Sequence, residues 1–161
     1  MLKKQLINYN LYLKIILIFF LLLKSTLAEI IKPSADIEPN EVVKIQLSAL
    51  MKNDFPNKDS GIVQTWEFAH PNNKKFTGPL ERFKNLLNSD AYSMMLNHID
   101  HKIIEVKTTD SKAAYEVTIL GEGKNYYKFR WIVEKYDIEG PLKDCWLTTA
   151  VSQPVSLGSS I

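Results

Sequence analysis

The chain has 161 residues, 45% of them apolar and 24% charged, the make-up of one packed domain rather than of a disordered or fibrous chain. Of its 20 basic residues, four (Lys3, Lys4, Lys14 and Lys24) lie in the first 28 positions, where there is no acidic residue, which leaves 16 basic against 18 acidic side chains in the rest. The remaining lysines are scattered and form no basic stripe, which excludes the electrostatic footprint of a nucleic-acid-binding protein.

Residues 1–28 read as a secretory signal peptide. Lys3 and Lys4 precede an apolar stretch, Leu11 to Leu23, interrupted only by Lys14, and Thr26-Leu27-Ala28 then offers small residues where a signal peptidase reads them. The uninterrupted run Ile15 to Leu23 is shorter than the roughly 20 residues needed to cross a bilayer. Cleavage after Ala28 is therefore expected, with an uncleaved membrane tether as the alternative. Exported chains can form disulfides, but Cys145 is the only cysteine, so no internal bridge is possible and its apolar surroundings make it a small core residue.

Residues 29–39, with two prolines and mixed polar residues, suit a linker, and the single folded domain is expected over residues 40–155. Asn40 is placed to cap a helix running through "EVVKIQLSALMKN". Glu41, Lys44, Ser48 and Lys52 form its narrow polar stripe, so the helix should be buried on most sides. Gln46 and Asn53 fall inside the apolar arc, where an amide must be hydrogen-bonded or face a wet cavity. A second helix is expected in "SGIVQTWEFA", capped by Ser60 and ended by Pro71. A third should begin at Thr77 as cap, followed by Gly78 and Pro79, and present Leu80, Phe83, Leu86 and Leu87 on one face. Between them "HPNNKKFT" reads as a turn-rich connection with His70 exposed in a loop. A further helical turn is expected around Tyr92, Met94, Met95 and Leu96.

After His101 the period changes from helical to alternating. "KIIEVKTT", "KAAYEVTIL", "YYKFRWIVEKY" and "CWLTTAVSQPV" read as four strands separated by turn residues. Tyr115, Val117 and Ile119 share one face, as do Tyr127, Phe129, Trp131 and Val133, opposite Lys128, Arg130 and Glu134. Trp146 is expected to anchor the core from the last strand, and residues 156–161 to be a flexible C-terminus. Helices first and an antiparallel meander afterwards define an α+β domain with its N-terminal helices packed on a curved antiparallel sheet.

"IQLSALMKND", "WEFAHPNN", "TGPLERF" and "DCWLTTAV", in that order, resemble the uncharacterised domain-of-unknown-function family 4864, over roughly residues 41–151. Gln46, Leu47, Asn53, Asp54, Phe68, Ala69, Pro71, Phe83 and Trp146 match its pattern, whereas His70 stands where a serine is commoner. The resemblance implies the cone of the cystatin-like, nuclear-transport-factor-like and SnoaL-like proteins. It also implies a place among homologues of photosynthetic lineages, hence a thylakoid lumen or periplasm as well as plain secretion. It brings no activity with it.

Such a cone encloses a cavity between the long helix and the sheet, and Gln46, Trp66, Tyr115, Phe129 and Trp131 are the expected lining. That lining is aromatic and apolar with no acid–base pair, which favours a non-catalytic domain binding a small apolar ligand or a protein partner in the cavity or on the sheet face, without a cofactor. A SnoaL-like isomerase or dehydratase is the enzymatic alternative, and a membrane-tethered assembly factor the third. Homodimerisation through the sheet is a possible further association. His98 and His101 share a face only on a helix and point to opposite sides if they straddle the start of a strand. With no further ligands at suitable spacing they predict no zinc site.

Overall fold

The computed structural model describes residues 29–159; the expected signal peptide lies outside the described residues. Four helices come first: α1 (Pro39–Met51), α2 (Ser60–Glu67), α3 (Pro71–Thr77) and α4 (Leu80–Leu87). After a single 3-10 turn at Ser93–Met95 come five strands: β1 (Asp100–Thr108), β2 (Lys112–Leu120), β3 (Asn125–Lys135), β4 (Trp146–Val151) and β5 (Val155–Ser159). The sheet is antiparallel in the order β1-β2-β3-β4, with β5 also pairing with β3. The domain is therefore α+β, as the switch in periodicity predicts.

One face of the sheet meets the helices. Ala113, Tyr115, Val117 and Ile119 of β2 and Phe129, Trp131 and Val133 of β3 are buried against Val42, Val43, Leu47 and Leu50 of α1, and Trp146 joins this core from β4. The opposite face is polar and self-paired, with Lys112 on Glu134 (2.6 Å) and Lys128 on Glu116 (3.0 Å). Helix α1 keeps Glu41, Lys44 and Ser48 in solvent and buries Gln46, and Asn53, two residues past its end, is buried as well. Gly61 lets α2 pack hard on α1, because a Cβ there would run into the backbone at Ala49.

Several local expectations are corrected. Helix α1 begins at Pro39, whose fixed φ and missing N–H suit the first helical position, so Asn40 is inside the helix and does not cap it. The segment before it is no free linker. The Ile31 N–H donates to Gln64 Oε1 (2.8 Å), the Gln64 amide donates back to the Ile31 carbonyl (2.8 Å), and Lys32 pairs with Glu67. Ser60 is the first residue of α2, which Asp59 precedes in a left-handed conformation (φ 62°). "PNNKKFT" is helix α3 rather than a turn; Thr77 ends it and its hydroxyl donates to the Asn73 carbonyl (2.9 Å), while Pro79 precedes α4. The C-terminal residues expected to be flexible contain β5, which registers Tyr127 against Ser156 and Asn125 against Ser159.

Candidate functional site

A pocket of about 90 Å³ opens where the helical layer meets β3 and β4. Its walls come from Leu50 of α1, Thr65 of α2, Ala69, Asn73 and Thr77 around α3, Phe83, Leu86 and Leu87 of α4, the Tyr92 and Met95 turn, and Val151. Its floor is a polar knot of Gln46, Trp131 and Thr148.

The knot has one consistent arrangement. The Trp131 indole can only donate, and its Nε1–H lies 3.2 Å from Gln46 Oε1 and 3.1 Å from Thr148 Oγ1. The Thr148 hydroxyl donates to the same Gln46 Oε1 (2.6 Å), which fills that oxygen's two acceptor positions, and Gln46 Nε2 donates to the Thr65 carbonyl (3.0 Å). Gln46 is thus the satisfied buried amide that its place in an apolar arc requires, and it forms part of the pocket floor as well.

Thr148 is the hub of the site. Its N–H donates to the Phe68 carbonyl (2.8 Å) and its carbonyl accepts the His70 N–H (2.8 Å), so residues 68–70 lie along β4 in a short parallel bridge. That bridge sets Ala69 in the pocket wall and starts α3 beside it. Asn73 reaches back from α3 to the same Thr148 carbonyl (3.4 Å).

His70 is accordingly no exposed loop residue. It is 9% exposed, its Nδ1 accepts the Asn72 N–H (3.0 Å) as the cap of α3, and its ring meets Tyr136 edge-on at 5.4 Å. Burial lowers its pKa, which suits a ring nitrogen used as an acceptor. At the pocket rim, Tyr92 accepts a hydrogen bond from the Gln153 amide (3.0 Å), and partial burial raises the pKa of its phenol.

Of the five expected lining residues, the structure brings Gln46 and Trp131 to the pocket. Trp66 packs against Phe83 (5.0 Å between rings) with Lys74 over its face, while Tyr115 and Phe129 belong to the core. The Tyr115 hydroxyl is buried, and burial raises its pKa. Thr148, Thr65 and Asn73 escaped the sequence reading, and Thr77, read there as a helix cap, lines the pocket instead. A polar residue at inward parity with Trp146 is the signal that marks Thr148.

A second histidine arrangement lies at the start of β1. The expectation that His98 and His101 diverge is corrected, because their rings touch. Met95 O can only accept, so His98 Nδ1 carries a proton and donates to it (2.7 Å); His98 Nε2 then accepts from His101 Nδ1–H (2.8 Å). His101 Nε2 is left unprotonated in the neutral pair, and burial lowers both pKa values. Among the described residues, no group of three or more His, Cys, Asp or Glu side chains is placed to hold a metal ion, and no helix is long and apolar enough to cross a membrane. Cys145 is buried, and burial raises its thiol pKa, the opposite of what a nucleophile requires.

Comparison with protein-family models, curated proteins and solved structures finds nothing that matches this chain.

Proposed function

We propose that this is an exported, non-catalytic binding domain whose pocket takes a small apolar ligand, or one apolar side chain of a protein partner. The observation that carries the reading is the composition of the pocket. Its walls are aliphatic and aromatic, its lining holds no carboxylate, histidine, lysine, arginine or thiol, and its one titratable side chain is the Tyr92 phenol at the rim, which burial keeps protonated and the Gln153 amide already engages. Acid–base chemistry of the SnoaL-like kind calls for a titratable group in reach of the substrate. A pocket of apolar walls with a few fixed polar groups is the ordinary form of a binding site. Its volume, about 90 Å³, is well below the several hundred typical of drug-sized ligands. The occupant is therefore a compact group, with any larger remainder outside the rim.

Titration with benzene and short-chain ketones, followed by amide NMR shifts, tests this. Shifts at Ala69, Asn73 and Thr148, suppressed by Leu86→Phe, are expected. An unchanged spectrum, or shifts scattered over the surface, would remove the pocket from consideration. Export is tested by the intact mass of the natively expressed protein, expected to begin at Glu29.

A further inference from the structure

A second concavity, larger than the pocket, is an open groove of about 1290 Å³ on the outer side of α1 and α2, bounded by β1 and by residues 29–31. Its floor is apolar, from Ile45, Met51, Val63 and Ile103, and the strongly exposed Phe55 (72%) stands at its edge beside Ile30 and Ile31. Apolar side chains left in water around a groove mark a surface that is covered in use.

Two observations say by what. First, the cations are concentrated here. Beyond residue 28 the chain carries more acidic than basic residues, yet the groove is lined by Lys44, Lys52, Lys58 and Lys102 against only Glu29 and Glu41. Lys44 is tied to Glu41 and the Lys58 charge acts on Asp54, whereas Lys52 and Lys102 take part in none of the ion pairs among the described residues. The opposite sheet face, by contrast, neutralises its lysines on Glu134 and Glu116. Second, the exposed apolar side chains Ile30, Ile31 and Phe55 line the same groove as these lysines, the pairing of apolar and basic groups that a membrane interface takes up.

We propose that this groove face is a docking surface for an anionic lipid membrane, with Phe55, Ile30 and Ile31 entering the interfacial layer and Lys52, Lys58 and Lys102 meeting the headgroups. Juxtamembrane cations bind anionic leaflets additively, and aromatic and aliphatic side chains at the same level supply the apolar part. The inference is independent of the pocket on the other side of α1, since either can fail alone.

The test uses the exported protein beginning at Glu29 and asks which face of the domain meets lipid. An environment-sensitive fluorophore is attached at Asn57→Cys, beside Phe55, and separately at Ala150→Cys on the opposite sheet face; the buried Cys145 is spared. With phosphatidylglycerol vesicles the label at position 57 should shift to the blue and be quenched by lipid-borne quencher, while the label at position 150 should not respond. Phosphatidylcholine vesicles should leave both unchanged. Replacing Lys52, Lys58 and Lys102 together by glutamine should weaken the lipid contact on the order of a hundredfold, about fivefold for each lysine, with an unchanged thermal melt. No response at position 57, or an equal response at both positions, would overturn the proposal. So would a response to an acidic amphipathic peptide and not to vesicles, which would give the groove to a protein partner.

Discussion

Gln46 in the body of α1 and Asn53, two residues past its end, are two buried amides seven residues apart, and the chain uses them in opposite ways. At Gln46 every partner is neutral: an indole, a hydroxyl and a peptide carbonyl, all inside the core, tie the helix to the sheet. At Asn53 the network is ionic and ties loops together. Asn53 Oδ1 accepts the Ile62 N–H (3.1 Å) and its amide donates to Asp54, whose carboxylate also accepts the Asp59 N–H (3.0 Å) and the Asn97 amide (2.9 Å). These bonds hold the Asp54 pKa below the usual carboxylate value, the Asp59 N–H contributing most. One residue beyond Asn97 begins the His98–His101 pair. The difference shows where this chain places its pH sensitivity: helix–sheet packing is independent of protonation, and the loop network past the end of the same helix is not.

Breaking the neutral network should have the largest effect. Trp131→Ala removes a fully buried ring and the donor that orients Gln46, with an expected loss of about 3–5 kcal/mol. Gln46→Met keeps the volume but leaves the Thr65 carbonyl without its partner, at an expected cost of about 1–3 kcal/mol. Denaturant melts of both variants should give the same difference from wild type at neutral and at mildly acidic pH. A pH-dependent difference would place an ionisable group in the knot and collapse the contrast between the two amides.

The ionic network should respond to acid in wild type. His98 and His101 both have pKa values lowered below 6.5 by burial, and a second proton on the pair would set two N–H groups face to face. The unfolded chain takes up protons near pH 6.5 and the folded pair resists, so the stability these residues contribute is present above 6.5 and lost as pH falls through their lowered values. His70 acts in the same direction, and so does Asp54, whose contribution is present above 3.8 and is lost only as pH falls through its lowered value. A melting temperature that declines below pH 6.5, with a shallower decline in the His98→Gln, His101→Gln double variant, is expected. A flat profile would mean that the pair is absent in solution.

How much of this the sequence discloses depends on whether a residue's environment follows from its neighbours in the chain. The inward faces of β2 and β3 are legible because Tyr115, Val117 and Ile119 alternate with polar residues and the sheet buries every second one. Gln46 stands out for the same reason, as a polar break in an apolar arc. Strand β5 does not, since all of Val155–Ser159 is exposed and no alternation reports it. Helix α3 buries no residue at all, so it has no apolar period, and its Pro71-Asn72-Asn73 start is as good a turn as a helix. Val151 is hidden by register: a bulge opposite Ile132 and Val133 skips Thr149, so that Val151 faces inward at the opposite parity from Trp146 and Thr148. The pocket was expected between the long helix and the sheet, but its walls are built largely by α3 and α4, and two of the five expected lining residues are there.

The smallest effects are expected in α3, which has no buried face of its own. His70→Ser keeps an oxygen where Nδ1 accepts the Asn72 N–H, and serine is a strong N-cap, so only the ring contact with Tyr136 is lost. A loss of about 1 kcal/mol follows, close to that of trimming a half-packed side chain. Thr77→Ala should cost less still, a few tenths of a kcal/mol. Its hydroxyl bonds back to the Asn73 carbonyl four residues earlier, an oxygen near the helix end that water can satisfy, and it caps no following helix. The two variants therefore separate the observed helix from a turn followed by a Thr77-capped helix: a capping threonine would cost about 1 kcal/mol on replacement, and an exposed His70 would cost nothing. Thermal melts ranking His70→Ser above Thr77→Ala fit the helix, and the reverse order would restore the turn.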